Sequence, residues 1–356
     1  MKILMLVNWI VKYCDEAPAD KQPPDFYVNG DGANYWFHRY FKGEHSVDVM
    51  DISSFPALEK FEMNKLHFYI HQGMKALPKP NDYDLVVSHG MPSALIVSLW
   101  RLRHKTKAKH IVYDIGCFNS AAESGMAMKL MQKASKSIDG VIYHTKCQGE
   151  YYKKYYPWLE GKSQFIRFGT DLNFFTPSDL EIRDDNNKYI LCVGAARRDW
   201  DTLIAAYKML HTDLELRLLG AINPEFEGIP GVRQIDHVPV REMINQIYNA
   251  RLCGLPLKEY PFSYGQMTFL QQMALGKCVI SAAVPSLEGY AVDGRTALFY
   301  EPENARSCAD AIDRILNDSQ FEHGILDQAK EYLATECNEA VMALEIEEFY
   351  KKILNK

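Results

Sequence analysis

The sequence lacks the features that mark secreted, membrane-spanning and nucleic-acid-binding proteins. No two of its eight cysteines stand in a CxxC spacing, and none is placed with a histidine as in a zinc site, so neither a metal site nor a disulfide framework is indicated. No apolar run is long enough to span a bilayer, and the first seven residues are too short for a signal peptide. The formal net charge of −6 argues against non-specific binding to nucleic acid, which needs a basic surface. We therefore expect a protein of a reducing, cytoplasmic compartment without a bound metal.

The length of the chain indicates more than one domain. With 356 residues, 47% of them apolar and 24% charged, the composition is that of a globular protein too long for one ordinary core. A polar stretch that ends near residue 188 separates two halves of similar pattern. We predict an N-terminal domain at 1–170 and a C-terminal domain at 171–340, with a last helix at 341–356 that packs back on the first domain.

Each half alternates short apolar runs with segments of helical period. The first half has predicted strands at 2–8, 47–52, 85–88, 110–115, 141–144 and 165–166, with helices at 58–77, 92–103, 126–136 and 148–156. The second half has predicted strands at 189–193, 214–219, 232–235, 252–255, 278–280 and 298–299, with helices at 202–210, 241–250 and 305–316. This alternation is typical of an α/β doubly wound parallel sheet, here two Rossmann-like domains in series. Ligands of such sheets bind at the carboxyl ends of the strands, so the cleft between the domains is the expected site.

Two stretches of the second half have the chemistry of a phosphate site. Gly265 precedes a helical segment, and the free N–H groups and positive dipole end of a helix bind anions. Arg197 and Arg198 follow a predicted strand and Gly194, and the planar arginine fork suits phosphate oxygens. The alternatives are a glycine that only ends a loop and a solvated surface pair of arginines. Because of its place between strand and helix, we favour phosphate binding for the arginine pair.

Several spaced motifs of the second half resemble the GT-B glycosyltransferases of glycosyltransferase family 4. The resemblance covers about residues 165 to 320 and is carried by FGTDLNFFTP at 168–177, by the strand, glycine and basic loop of YILCVGAARRDWDTL at 189–203, and by SYGQMTFLQQMALGKCVI at 263–280. The first half matches in layout only. The family implies two facing domains, a nucleotide-sugar donor, retention of anomeric configuration and no required metal or other cofactor. A UDP-sugar is the expected donor, with a carbohydrate or lipid-linked acceptor as the second partner.

The resemblance also implies roles for single residues. Gly265, Gln266 and Thr268 fit the Gly-Gln-x-Thr form of the donor site, and Gln271 faces the donor ribose where many members have a glutamate; Ser263 replaces a second glutamate. Arg197 and Arg198 would neutralise the leaving diphosphate, and Glu288 lies in a loop that contacts the donor from above.

In the first half, Asp114 occupies the position where many members place a histidine near the reacting sugar. It is a candidate general base or acceptor-orienting group, and the alternative is a turn or N-cap aspartate. His144, at the end of another predicted strand, is better explained as a hydrogen-bonded structural residue.

Three alternatives remain at the level of the whole protein. One is a nucleotide-sugar 2-epimerase on the same fold. Another is a degenerate binding protein, suggested by the missing glutamates and histidine. The third concerns location: the helices at 60–75 and 126–136 mix lysines with Phe and Met, so peripheral contact with the inner membrane face is an alternative to an ordinary amphipathic surface.

Overall fold

The computed structural model describes residues 1–116, 123–178, 180–220, 222–260 and 262–356. The chain forms two compact units. The first comprises Met1–Arg167 and Ala340–Lys356 together with a short piece at 262–264, and the second comprises Phe168–Tyr260 and Gly265–Glu339. Of the eight cysteines, Cys117 lies outside the described residues, and the other seven form no disulfide with one another.

The first unit is built on a six-stranded parallel sheet of order β4-β1-β5-β6-β7-β8. Its strands are β1 (Lys2–Leu6), β4 (Ser46–Met50), β5 (Leu85–His89), β6 (Lys109–Asp114), β7 (Gly140–Tyr143) and β8 (Ser163–Phe165). Strands β5 and β6 are buried along almost their whole length, which is why they appear in the sequence as continuous apolar runs rather than as alternating patterns.

Helices α2 (Ile70–Ala76), α3 (Met91–Arg101), α4 (Met126–Ser135) and α5 (Lys146–Tyr155) lead from each strand to the next across this sheet. Right-handed crossovers that all run in one direction place them on the same face. Helix α3 packs between α2 and α4. Helix α11 (Glu339–Leu354) also contributes to this unit: Gly140 of β7 has no side chain, and a Cβ there would lie 3.0 Å from the Phe349 ring.

The predicted helix at 58–77 is wrong as one continuous element. The structure has α1 (Pro56–Phe61), a π-helical turn (Glu62–Leu66) and then α2, because His67 adopts a left-handed conformation with φ 58° that no α-helix continues through. The Glu62 carboxylate accepts a hydrogen bond from the backbone N–H of His71 at 2.9 Å and so caps the start of α2.

The long polar segment after β1 also differs from expectation. It holds two short parallel strands, β2 (Lys12–Cys14) and β3 (Phe26–Val28), where the sequence pattern indicated only a loop. The run YWFHRYF at 35–41 predicts the start of a helix, whereas the structure has a short 3₁₀ helix there (Trp36–Tyr40), preceded by a 3₁₀ turn (Gly32–Asn34).

The second unit repeats the design with a six-stranded parallel sheet of order β11-β10-β9-β12-β13-β14. Its strands are β9 (Tyr189–Val193), β10 (Glu215–Leu219), β11 (Val232–Ile235), β12 (Leu252–Leu255), β13 (Val279–Ala282) and β14 (Leu298–Tyr300). Its helices are α6 (Trp200–Tyr207), α7 (Val240–Asn249), α8 (Gln266–Ala274), α9 (Ala305–Asn317) and α10 (Ser319–Thr335). The predicted doubly wound architecture is therefore confirmed in both units. No helix in the described part of the chain is long and apolar enough to cross a membrane.

Candidate functional site

The start of α8 is shaped by a contact that only glycine permits. Gly265 is the N-cap of the helix with φ 82°, and a Cβ at this position would lie 2.9 Å from both terminal methyl groups of Leu257. The left-handed conformation and the close approach both require a residue without a side chain. The first N–H groups of an α-helix have no carbonyl acceptor within it, so this end of α8 presents donors and positive dipole to an anion.

The same Leu257 supports the basic loop that follows β9. Arg198 forms an isolated antiparallel bridge with Leu257, and the backbone N–H of Lys258 donates to the Arg197 carbonyl at 3.2 Å. Leu257 itself is only 1% exposed. Leu257 thus holds the basic loop through its backbone and the start of α8 through its buried side chain. These two segments are 67 positions apart in the sequence, measured from residue 198 to residue 265.

The two arginine side chains are held in defined positions. The Arg198 guanidinium donates from Nε to the Val193 carbonyl and from Nη1 to the Ala196 carbonyl, both at 3.2 Å, and it occupies the space that a Cβ on Gly194 would need. Gly194 has φ 113°, so the strand turns sharply where the guanidinium packs. Arg197 is exposed, adopts φ 59° and places its guanidinium 5.6 Å from the centre of the Tyr260 ring.

The remaining predicted residues of the second unit differ in what their side chains can reach. Gln266 is 1% exposed and its Nε2 donates to the Ser286 carbonyl at 2.7 Å, so the side chain ties α8 to the loop after β13. Thr268 is half-buried, Gln271 is 7% exposed, and Glu288 is exposed just after the 3₁₀ turn Pro285–Leu287. Gln266 and Glu288 are therefore connected through one loop.

Asp114 lies in the first unit, at the carboxyl end of β6, and is fully buried. Its Oδ1 accepts from the backbone N–H of Gly116 at 3.0 Å, an Asx turn, and its Oδ2 accepts from Gln148 Nε2 at 3.1 Å and from the Tyr152 hydroxyl. This geometry favours the alternative of a turn aspartate that holds the end of β6 against α5. The catalytic role stays a prediction.

Two histidines lie at the ends of neighbouring strands in the same unit. Buried His144 bonds through Nδ1 to the Ile166 carbonyl at 2.7 Å, which fits the structural interpretation. His89, at the end of β5, was not singled out in the sequence. Its Nδ1 bonds to Asn8 Oδ1 at 3.0 Å, and because an amide oxygen only accepts, the imidazole donates there and keeps its Nε2 lone pair. The only available signal was its place between a predicted strand and Gly90.

Burial keeps both imidazoles neutral at pH 7. Loss of solvation lowers the pKa of His89 to about 3 and that of His144 also to about 3. Around His89 the indole of Trp9 stands edge-on at 4.6 Å and the ring of Tyr113 stacks at 5.5 Å. This end of the first sheet thus offers a neutral imidazole within an aromatic cluster. Among the described residues, no group of three or more His, Cys, Asp or Glu side chains is placed to hold a metal ion.

Comparison with known proteins agrees with this architecture. Residues 187–318 match the family described as glycosyl transferases group 1. Among similar solved structures, sucrose-phosphate synthase from Thermosynechococcus elongatus has 18% identity and a TM-score of 0.69, with 100% of both chains covered. HepE from Anabaena, in complex with UDP and glucose, has 15% identity and a TM-score of 0.69, over 99% of this chain and 100% of that one.

A third similar structure is the catalytic domain of starch synthase IV from Arabidopsis thaliana bound to ADP and acarbose, with 12% identity, a TM-score of 0.71 and 99% of each chain covered. No curated protein matches the sequence. At these identities the structural likeness establishes the fold, and the family match falls on the second unit. The chain therefore has the GT-B fold of two parallel-sheet units, and residues 187–318 of its second unit are similar to the glycosyl transferases of group 1.

Proposed function

We propose that this protein is a retaining glycosyltransferase that moves a sugar from a nucleoside diphosphate sugar, with a UDP-sugar as the favoured donor, to a carbohydrate, lipid-linked or small-molecule acceptor. No metal or other cofactor takes part in the proposed reaction. The observation that carries the proposal is the shared support of the basic loop and the α8 N-terminus by Leu257. It fixes two sources of positive potential on one element of the second unit.

The chemistry of transfer requires such a site. When the bond between the anomeric carbon and the diphosphate breaks, negative charge grows on the leaving oxygens, and fixed donors that are already oriented lower the barrier most. Arg198 is oriented by two backbone carbonyls and Arg197 by the Tyr260 ring, so neither side chain has to reorganise far to meet the diphosphate. The N–H groups at the start of α8 supply the remaining donors.

The other residues of the site receive roles within this proposal. Gln271 accepts from the donor ribose through its amide oxygen, without the charge of a glutamate. Thr268 donates its hydroxyl to a phosphate oxygen, and Glu288 contacts the sugar from its exposed loop. The ligands of similar proteins support a nucleoside diphosphate: the HepE structure holds UDP and the starch synthase structure holds ADP.

On the first unit, we assign the acceptor to the end of the sheet where β5 and β6 finish. The His89 Nε2 lone pair is available to a hydroxyl group of the acceptor, while Asp114 holds the chain after β6 in place through Gly116. With its low pKa, His89 acts as a neutral hydrogen-bond acceptor rather than as a strong base.

Calorimetric titration with UDP tests the donor site. Arg198→Ala removes a charge-assisted contact to phosphate, which contributes about 1.5–3 kcal/mol, so UDP should bind roughly ten- to a hundredfold more weakly. Arg198→Lys keeps the charge but loses the planar fork, so its affinity for UDP should lie between those of the wild type and Arg198→Ala. The matched control is Arg233→Ala, because Arg233 is an exposed arginine of the same unit on strand β11. Equal affinity in Arg198→Ala and the wild type would contradict the assignment.

Product analysis tests the reaction itself. A purified protein supplied with a UDP-sugar and acceptors should form a glycoside with the anomeric configuration of the donor. The same mixture without an acceptor separates the proposal from its main competitor, since an epimerase would still convert the donor. UDP binding without turnover on any donor would reduce the proposal to a nucleotide-binding function.

A further inference from the structure

An unusual number of large apolar side chains is exposed in one short segment of the first unit. Between residues 55 and 74 the exposed side chains are Phe55 (61%), Phe61 (50%), Met63 (47%), Ile70 (36%) and Met74 (58%). Phe55 directly precedes α1, and the other four lie on α1, the π-helical turn and α2. Single exposed apolar residues need no explanation, but a cluster of this density indicates a surface that is covered by something other than water.

Helix α4 presents a second set of the same kind. Met126 is 88% exposed and Leu130 is 36% exposed. These positions are four residues apart, and Lys129 and Lys133 fall between and beyond them, so the spacing places all four on one side of the helix. The opposite side carries the buried Met128 and packs inward. Helix α4 therefore turns a mixed apolar and basic face outward.

The charge of both segments is positive although the chain as a whole is negative. Residues 55–76 and 126–136 contain six lysines and two glutamates, a formal charge of +4, whereas the chain carries −6. One of the two glutamates, Glu62, is 1% exposed and is used to cap α2. Lys60, Lys65, Lys129 and Lys133 are exposed and form no ion pair within the described ranges. The exposed charge is thus almost entirely cationic.

The two segments belong to one layer of helices. Helix α3 is mostly buried and packs between α2 and α4, so both segments flank the same helix on the same face of the first sheet. Both also include the start of a helix, and helices in such a sheet start at the carboxyl ends of its strands, the end where His89 lies. We call residues 55–75 together with 126–136 the basic apolar surface.

We propose that the basic apolar surface binds the face of an anionic lipid bilayer. Phe and Met side chains enter the boundary between headgroups and acyl chains, while the lysines stay at the level of the phosphates. A protein partner would also cover apolar side chains, but unpaired lysines around them complement a dense negative surface. The inference does not rest on the proposed transfer, because bilayer binding is measured without donor or acceptor.

Flotation of the full chain with lipid vesicles tests this. At low salt, vesicles in which about a third of the lipid is anionic phosphatidylglycerol should float with bound protein, and pure phosphatidylcholine vesicles should bind much less protein. Lys60→Gln/Lys65→Gln/Lys129→Gln should weaken binding by about a hundredfold, at roughly fivefold per lysine. Phe61→Ser/Met63→Ser should weaken it by about tenfold or more at either salt concentration. High salt should reduce wild-type binding and have less effect on the lysine variant.

Matched controls come from exposed residues of the second unit. Lys188→Gln/Lys208→Gln/Lys330→Gln and Ile182→Ser/Met209→Ser make the same chemical changes outside the proposed surface and should float like the wild type. All substituted side chains are exposed, so melting temperatures should agree and verify that each variant is folded. The proposal is overturned if the wild type does not float with anionic vesicles, or if the controls lose binding as strongly. It is also overturned if the protein is a dimer that Phe61→Ser/Met63→Ser dissociates, which would assign the surface to a second copy.

Discussion

Acid should unfold the first unit well before the second, because the buried histidines of the described chain are concentrated there. His38, His89, His110 and His144 are at most 7% exposed, and all four belong to the first unit. Burial lowers the pKa of His38, like those of His89 and His144, to about 3, and it lowers the pKa of His110 well below its usual value. The pKa of a solvated histidine is about 6.5.

The sign and size of the effect follow from linkage. Because the folded pKa is the lower one, the unfolded chain binds protons more readily, so the stabilisation is complete above about pH 6.5 and is lost as the pH falls toward 3. When the pH falls from 7 to 5, each imidazole with a folded pKa near 3 lowers the free energy of unfolding by about 2 kcal/mol. The three with that value cost about 6 kcal/mol together, which is comparable with the whole stability of an ordinary domain.

Urea unfolding at pH 7 and pH 5 measures this change. Four of the five tryptophans belong to the first unit, so fluorescence reports mainly on it, and hydrogen exchange resolves the second unit separately. His38→Gln should reduce the loss of unfolding free energy between pH 7 and pH 5 by about 2 kcal/mol. His211→Gln, at an exposed site of the second unit, should leave this loss unchanged. If both units lose stability equally at pH 5, or the first loses none, the reasoning is refuted.

Three further substitutions test single contacts by chemical denaturation. Gly265→Ala should cost about 1–3 kcal/mol, because it combines φ 82° with a clash, and should weaken UDP binding as well; unchanged stability would be inconsistent with the geometry. Asp114→Asn should cost about 1–3 kcal/mol, since an amide nitrogen in the place of Oδ2 would face the donor Nε2 of Gln148 and could not accept from the Tyr152 hydroxyl. An unaltered melting temperature together with lost turnover would instead support a purely catalytic role. Glu322→Gln should cost about 1–3 kcal/mol, because it removes the charge of the buried carboxylate from its bidentate pair with Arg251. A loss of only a few tenths of a kcal/mol would show that the pair is solvated.

The fold could be predicted from the sequence because its signals are local. Buried parallel strands such as β9 are short apolar runs, and the helices between them show their period directly. The helix at 58–77 could not be predicted correctly, because the helical spacing of apolar residues continues across the π-helical turn. The break depends on the left-handed His67 and on the capping carboxylate of Glu62, and neither changes the apolar pattern.

The candidate site could be predicted only where the residues that form it are close together in the sequence. Gly265 was predicted as the start of a helix and is its N-cap. The support by Leu257 joins segments that are far apart in the chain, so no local pattern contains it. His89 was missed for the same reason: its interest comes from Asn8 and the surrounding aromatic rings, which only the fold brings together.

Comparison of UDP with uridine in a thermal-shift experiment tests the central claim most directly. If the basic loop and the start of α8 recognise the diphosphate, UDP should raise the melting temperature of the full chain in proportion to the logarithm of its concentration, and uridine at equal concentration should have little effect. Inorganic pyrophosphate should compete with UDP. Equal shifts from UDP and uridine, or none from UDP at millimolar concentration, would contradict the account.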